Sequence, residues 1–256
     1  MIGANTHGAP TWLDLSTSDV EATVDFYSGL LGWTVTRRPS PFGTYAIGAI
    51  GEVEVGGMME PVPVEGMPAV WTVFFAVSDV DASVATIQRI GGSVLQPAFD
   101  LTDARIAVVA DPTGAMLGLL SGTPAQSHYL DQRPGTMRWV ELLTRDPAAA
   151  ETFYAEVFGW KAETSEGEGT SYTIFTLDGD AVAGMMLMPA EVPAEVPAYW
   201  SAYYLVDDAA ATAARATELG GTVIVAPTEI DGDRFAILED PQGAVFGVLQ
   251  PADAAT

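Results

Sequence analysis

The 256-residue chain is internally duplicated, and this repeat restricts its possible folds more than any other sequence feature. All six tryptophans fall into three matched pairs, so chance is a poor explanation. The clearest pairs are Phe26-Tyr27 with Phe153-Tyr154, Leu31-Gly32-Trp33 with Phe158-Gly159-Trp160, Trp71 with Trp200, and Asp111-Pro112-Thr113-Gly114 with Asp240-Pro241-Gln242-Gly243. We therefore predict two tandem domains, residues 1–121 and 137–256, joined by a Gly- and Pro-containing linker at residues 122–136.

A finer repeat lies inside each half. Four segments share one pattern, an apolar strand, an aspartate and an amphipathic helix, with the aspartates at Asp19, Asp79, Asp146 and Asp208. Aspartate is favoured as an N-cap because its side chain accepts hydrogen bonds from the first helical turn. Short β-prone runs follow each helix, at 34–38, 44–49, 53–59, 93–95, 105–110 and 115–120 in the first half. The pattern predicts an α+β fold of four βαβββ modules, which must share cores in pairs because one module leaves a sheet face bare.

The composition excludes several functional classes. The chain has no cysteine, which rules out disulfides, thiolate catalysis and cysteine-ligated metals. It carries 34 acidic residues against 10 basic ones, so its charge repels nucleic acid and anionic membranes and attracts cationic small molecules. No apolar run reaches the roughly 18–20 residues of a membrane span, and the N-terminal residues do not resemble a signal peptide. We expect a cytoplasmic protein, a monomer or a homodimer.

The motifs resemble those of the vicinal oxygen chelate superfamily, which includes glyoxalase I, bleomycin- and fosfomycin-resistance proteins and extradiol dioxygenases. The shared markers are the strand followed by aspartate, the helix with Phe-Tyr, the Leu-Gly-Trp after it and the terminal Asp-Pro-x-Gly hairpin. They cover roughly residues 10–121 and 137–250. The resemblance implies two tandem glyoxalase-like domains with a cup that holds a ligand or a metal. The chain is most similar to two-domain proteins of high-GC bacteria, some of which occur in aromatic-polyketide gene clusters.

The resemblance also identifies where the family's metal ligands would lie. Carried over to this chain, these positions are Trp12, Thr72 and Gly118 in the first half and Trp139, Ser201 and Gly247 in the second. A catalytic transition metal needs about three His, Asp, Glu or Cys ligands. The two histidines, His7 and His128, fall at none of these positions, and we expect both to be exposed loop residues. We predict no metal of the family type, and no cofactor, since a phosphate-binding glycine motif is also missing from the sequence.

Side chains alternate across a strand, so the residues that share a face with these positions can be predicted. Trp12 then shares its face with Asp14, and Trp139 shares its face with Glu141. The other predicted members are Thr72, Phe74, Gly118, Ser201, Tyr203 and Gly247, with hydroxyls from Tyr45 and Tyr172. The face is largely apolar and aromatic with one carboxylate per half, which is the usual make-up of a small-molecule site.

Several of these residues have two interpretations. Trp12 and Trp139 either fill the space that a metal would vacate or stack on a planar ligand. Gly118 and Gly247 favour stacking, because a glycine opposite a tryptophan leaves a slot. Met58 and Met185 either contact an apolar ligand or fill the core.

The two carboxylates of the predicted face are the candidate catalytic residues. Asp14 and Glu141 could act as a general base or as the counter-ion of a ligand amine. Alternatively, each could be paired with an arginine, Arg105 or Arg234, and have no functional role. 

The sequence supports two functions of different kinds. The first is metal-independent binding of a hydrophobic or aromatic small molecule, including cationic ones, by a drug-sequestering, resistance or biosynthetic-pathway protein. The alternative is a metal-free hydroxylase, isomerase or cyclase that acts on an aromatic polyketide, with Asp14 or Glu141 as base. A metal-dependent glyoxalase or dioxygenase with unconventional ligands is the least favoured.

Overall fold

The computed structural model describes residues 2–40, 43–60, 69–122, 133–166 and 171–252. The elements of the first half are β1 (Pro10–Ser16), α1 (Val20–Leu31), β2 (Thr34–Ser40), β3 (Gly43–Ile50), β4 (Val53–Met59), β5 (Val70–Ala76), α2 (Val80–Arg89), β6 (Ser93–Asp100), β7 (Ala104–Ala110) and β8 (Met116–Gly122). Those of the second half are β9 (Met137–Thr144), α3 (Pro147–Phe158), β10 (Lys161–Glu166), β11 (Ser171–Leu177), β12 (Asp180–Leu187), β13 (Tyr199–Leu205), α4 (Ala209–Glu218), β14 (Thr222–Ile230), β15 (Asp233–Glu239) and β16 (Val245–Gln250).

Each half of the repeat forms one eight-stranded mixed sheet. The strand orders are β2-β3-β4-β1-β5-β8-β7-β6 and β10-β11-β12-β9-β13-β16-β15-β14. Within each module the first strand pairs in parallel with the last, and the strands between them form antiparallel ladders. The predicted α+β class, with four βαβββ modules in two tandem domains, is confirmed. The residue boundaries drawn from the sequence stay a prediction.

The helices begin where the sequence predicts. Asp19, Asp79, Asp146 and Asp208 are the N-caps, and each side chain accepts a hydrogen bond from a first-turn N–H. A left-handed glycine follows the second and fourth helices, Gly91 with φ 94° and Gly220 with φ 89°. These features are local, which is why the sequence specified them.

Within the described ranges, no helix combines the length and apolarity that a membrane crossing requires.

The chain divides into two compact units that do not coincide with the two halves. Unit 1 contains Met1–Trp12, Val73–Ala125 and Trp139–Ser201, and unit 2 contains Leu13–Thr72, Gln126–Arg138 and Ala202–Thr256. Helices α2 and α3 pack together in unit 1, and α1 and α4 pack together in unit 2. The second module therefore shares a core with the third, and the first with the fourth. This pairing is not evident from the sequence repeat.

The core of unit 2 is built around a buried tyrosine of α1. The Tyr27 ring stacks on Trp33 with centroids 5.3 Å apart. Its hydroxyl accepts a hydrogen bond from Trp71 Nε1 at 2.8 Å and donates one to Asp240 Oδ2 at 3.1 Å. Burial raises the pKa of Tyr27 well above its usual value, and the nearby Asp240 charge raises it further. A polar chain thus runs through an otherwise apolar core.

Unit 1 contains the equivalent chain. Tyr154 on α3 stacks on Trp160, accepts a hydrogen bond from Trp200 Nε1 at 2.9 Å and donates one to Asp111 Oδ2 at 2.9 Å. Burial raises the pKa of Tyr154 in the same way, with the Asp111 charge as the second cause. Trp33 and Trp160 are both 3% exposed, so both indoles are core residues. The tyrosine hydroxyl networks were not predicted.

One buried hydroxyl in unit 2 has no hydrogen-bond partner within the described residues. It belongs to Tyr204, which is fully buried and packs against Trp33, Trp71 and Phe246. Burial raises the pKa of this phenol well above its usual value. The repeat-equivalent position in the first half is Phe75, which is also fully buried. The hydroxyl is therefore the main chemical difference between two equivalent core positions.

The expectation that both histidines are exposed is wrong for His7. This side chain is half-buried in unit 1 and hydrogen-bonded through both ring nitrogens. Nδ1 accepts from the Ser78 N–H at 3.1 Å, so Nε2 carries the proton and donates to the Val157 carbonyl at 2.9 Å. The N-terminal extension is thereby tied to the core. His128 lies outside the described residues.

Candidate functional site

The strand alternation that predicted the site is visible in β1. Leu13 and Leu15 are fully buried. Leu13 lies close to Gly56, and the core residue Trp71 is also close to Gly56, so Leu13 faces the core. Asp14 therefore lies on the opposite face of the strand, as does Trp12, which is 8% exposed. We call this second face of each sheet the site face. The predicted orientation of Trp12 and Asp14 agrees with this placement.

In unit 2 the site face carries a tyrosine–carboxylate pair. The Tyr45 hydroxyl donates a hydrogen bond to Asp14 Oδ1, and both side chains are half-buried. Asp14 lies opposite Gly57 in the parallel β1–β4 register. A Cβ atom at position 57 would clash with both the Tyr45 hydroxyl and the Asp14 carboxylate. The glycine is therefore required for this contact, whereas the sequence suggested no role for it.

In unit 1 the equivalent pair is joined by the indole of Trp139. Trp139 Nε1 donates to the Tyr172 hydroxyl at 3.0 Å, and that hydroxyl donates to Glu141 Oε1 at 2.8 Å. Gly184 provides the space, since a Cβ there would clash with the Tyr172 hydroxyl and lie 2.8 Å from Trp139 Nε1. Glu141 is only 7% exposed. Burial raises the pKa of Tyr172, and the Glu141 charge is the second cause.

A further aromatic residue, Tyr199, belongs to this group and was missed by sequence reasoning. It lies on β13, next to β9 in the sheet, and is half-buried. Burial raises the pKa of its phenol, and Glu141 is close enough for its charge to raise it further. The repeat-equivalent residue is Val70. Tyr199 lies two residues before Ser201 on β13 and so shares its face. A comparison of the two halves at this position could have identified Tyr199 as a site residue.

The slots expected at Gly118 and Gly247 are filled by neighbouring rings. Gly118 lies opposite Phe74 in the β5–β8 register, and Gly247 lies opposite Tyr203 in the β13–β16 register. A Cβ atom at either glycine would clash with the ring of its partner. The expectation of an open slot is therefore wrong, because the adjacent strand supplies the side chain that covers the glycine. Thr72 and Ser201 are buried, 6% and 4% exposed.

The predicted arginine partners do not lie with the two carboxylates. Arg105 binds Asp81 through Nε at 2.8 Å and Asp100 through Nη1 at 2.8 Å. Hydrogen bonds to these two carboxylates raise the pKa of Arg105. Arg234 is an exposed residue of β15, opposite Glu229. Both arginines are surface residues, and the expectation that they belong to the site is wrong.

Met58 and Met185, the two methionines considered as ligand contacts, lie on the core face of their strands. Met58 is fully buried and Met185 is 1% exposed. Each follows directly after a glycine that faces the site, Gly57 or Gly184, so alternation directs the methionine toward the core. Their inclusion among the ligand contacts is wrong for this reason, and the core interpretation agrees with their burial.

The residues present do not fit a family-type metal. The family positions carry two indoles, two hydroxyls and two glycines, at Trp12, Trp139, Thr72, Ser201, Gly118 and Gly247. Across the described ranges, no group of three or more His, Cys, Asp or Glu residues is arranged to hold an ion. Indole and glycine side chains offer no ligand atom, so these six positions supply fewer ligands than a catalytic transition metal needs.

The sequence of this chain is similar to sequences of known proteins. A family model described as "Glyoxalase/Bleomycin resistance protein/Dioxygenase superfamily" matches residues 10–119 and 136–248. The chain is 42% identical over 252 residues to "Putative glyoxylase CFP32" of Mycobacterium tuberculosis, covering 96% of this chain and 95% of that protein. It is 33% identical over 258 residues to "Anthracycline biosynthesis protein DnrV" of Streptomyces peucetius, covering 95% of this chain and 93% of that protein.

Structure comparison finds the same fold in a solved protein. The Mn(II)-bound glyoxalase from Novosphingobium aromaticivorans superposes with a TM-score of 0.65 at 17% identity, covering 96% of this chain and 82% of that chain. At this identity the likeness concerns the fold alone. Both family matches fall on the two halves of the sequence repeat, and the sheets have the same order in each half. The chain therefore belongs to the glyoxalase/bleomycin resistance protein/dioxygenase superfamily, as a protein with two tandem domains.

Proposed function

We propose that this protein binds a planar hydrophobic or aromatic small molecule on the site face, without a transition metal. The observation that carries the proposal is the tyrosine–carboxylate pair found in both halves, Tyr45 with Asp14 and Tyr172 with Glu141. Each pair offers a polar group for orientation beside apolar and aromatic surface, which is how small-molecule sites combine affinity with specificity. The half-buried indole of Trp139, at one of the family's metal-ligand positions, offers stacking surface in place of coordination.

The relatives support a ligand of this class. DnrV is named for anthracycline biosynthesis, and anthracyclines are planar aromatic polyketides. A protein that binds such a molecule can carry it within a biosynthetic pathway or sequester it as a drug. Both roles belong to the same proposal, because both require reversible binding of the planar ring system. A cytoplasmic location is part of this proposal.

Tryptophan fluorescence tests the proposal directly. We expect saturable quenching when an anthracycline is titrated into the protein, with no change in affinity after EDTA treatment. Trp139→Phe should reduce the amplitude, because Trp139 is half-buried on the site face whereas Trp33 and Trp160 lie in the cores. Absence of quenching by a broad panel of planar aromatic compounds would contradict the proposal, as would binding that requires added Zn²⁺, Mn²⁺ or Fe²⁺.

A second candidate function is a metal-free enzyme acting on the same ligand class. It is favoured by the 7% exposure of Glu141, since a largely desolvated carboxylate is a stronger base than one in water. In such an enzyme Glu141 or Asp14 would accept a proton from the substrate. We expect turnover to survive EDTA and to be lost in Glu141→Gln or Asp14→Asn. Unchanged turnover in both variants would exclude these carboxylates as the base.

A further inference from the structure

The two tyrosine–carboxylate pairs differ in their surroundings, and the difference is confined to a few side chains. Glu141 in unit 1 is 7% exposed, whereas Asp14 in unit 2 is half-buried. A carboxylate removed from water is stabilised by a nearby positive charge more than an exposed one, because the local dielectric is lower. Glu141 is therefore the better electrostatic partner for a cation that reaches it.

Three half-buried aromatic residues lie on the same face as Glu141. Trp139 shares its strand, Tyr172 donates a hydrogen bond to it, and Tyr199 lies on the neighbouring strand β13. We call these four residues the Glu141 cluster. The faces of indole and phenol rings attract cations, and the attraction grows when water is excluded. A carboxylate among aromatic rings is a combination that suits an organic ammonium group better than a metal ion, which needs several oxygen or nitrogen ligands.

The first half lacks part of this arrangement. Val70 stands where the second half has Tyr199. Trp12, the counterpart of Trp139, is 8% exposed and therefore presents little ring surface. The repeat thus provides an internal comparison, in which only the second half combines a buried carboxylate with accessible phenol and indole rings.

We propose, on the basis of the proposed function, that the Glu141 cluster is the subsite that recognises an ammonium group carried by the aromatic ligand. The Glu141 carboxylate forms an ion pair with the ligand's ammonium group. The rings of Trp139, Tyr172 and Tyr199 contact the N–H groups of the ammonium and the aliphatic carbons next to it. Tyr172 holds the carboxylate in place through its hydrogen bond of 2.8 Å. The net charge of −24 draws cationic molecules toward the protein, and the cluster supplies the specific contact.

A matched pair of probes tests this assignment. Daunorubicin carries an amine, and N-acetyldaunorubicin has the same ring system without the positive charge. We expect acetylation to weaken binding to the wild-type protein by about 10- to 100-fold, the range for hydrogen bonds to charged groups. Glu141→Gln should reduce this preference to within about twofold. Tyr199→Val, which installs the residue of the first half, should reduce it partly and leave the carboxylate in place.

Controls separate the cluster from the general acidity of the surface. Glu163→Gln removes an exposed carboxylate of the same unit and should keep the full preference. If the cluster causes the preference for daunorubicin over N-acetyldaunorubicin, the preference should be similar at about 0.15 M and about 1 M salt. The Debye length falls from about 8 Å to about 3 Å between these concentrations, so only attraction over longer distances is screened. Circular dichroism shows whether each variant is folded. If Glu141→Gln does not fold, the preference measured for Tyr199→Val decides the test.

The outcomes distinguish this inference from the proposed function. If neither probe binds the wild-type protein, the proposed function itself fails. If both probes bind equally, ring binding stands and the ammonium subsite is refuted. A preference that persists in both Glu141→Gln and Tyr199→Val, or that is lost in Asp14→Asn instead, also refutes the assignment to the Glu141 cluster.

Discussion

Asp111→Ala should lower the free energy of unfolding by about 3–5 kcal/mol, because it leaves several buried donors without an acceptor. Asp111 is 3% exposed. Its Oδ1 accepts from the Thr113 and Ala115 N–H groups at 2.8 and 2.9 Å, and its Oδ2 accepts from the Tyr154 hydroxyl at 2.9 Å. Urea unfolding followed by circular dichroism measures the change. The melting temperature should fall by about 2–4 °C for each kcal/mol.

The repeat supplies matched controls for this prediction. Asp240→Ala removes the equivalent acceptor from Tyr27 and Ala244 in unit 2, so a loss of similar size is expected. Asp103→Ala removes an exposed carboxylate just before β7 and should change stability by less than about 0.5 kcal/mol. A loss below about 1 kcal/mol in both Asp111→Ala and Asp240→Ala would show that the buried networks are not important for stability.

The protein should unfold cooperatively at alkaline pH, driven by three phenols that are fully buried within the described ranges. Burial raises the pKa of Tyr27, Tyr154 and Tyr204 well above the usual value. In the unfolded chain these groups ionise near pH 10, so above that pH the native state binds more protons and stability falls as pH rises. The three together cost about 4 kcal/mol per pH unit, against a usual total stability of about 5–15 kcal/mol. Tyrosinate absorbance and circular dichroism should therefore change together.

Tyr204→Phe provides a sharp control for the alkaline transition. It removes a buried hydroxyl that has no partner within the described residues, and it installs the ring that Phe75 provides in the other half. The variant should be more stable than the wild type at neutral pH by about 1–3 kcal/mol, the cost of an unsatisfied buried group. Its alkaline midpoint should also rise. Gradual tyrosine ionisation in a chain that stays folded, with a midpoint near pH 10, would contradict the buried-phenol explanation.

Part of the candidate site follows from local sequence rules. Alternation along β1 and β9 predicted that Trp12 shares a face with Asp14 and Trp139 with Glu141, which the structure agrees with. The sequence left Met58 with two interpretations, ligand contact or core, and the β1–β4 register places it with the core residue Leu15. Contacts between strands escaped prediction, such as the Tyr172–Glu141 hydrogen bond and the ring of Phe74 over Gly118, because they depend on strand register.

The sequence alone determined the duplication, the four βαβββ modules, the aspartate caps and the glycine ends of the helices, because each depends on residues that are neighbours in the chain. Tertiary structure alone decided that the first module shares a core with the fourth and the second with the third. It also decided that Gly57 and Gly184 leave the space in which a tyrosine hydroxyl reaches a carboxylate. These features arise from contacts between distant segments, whose free energy depends on packing and burial that no local pattern encodes.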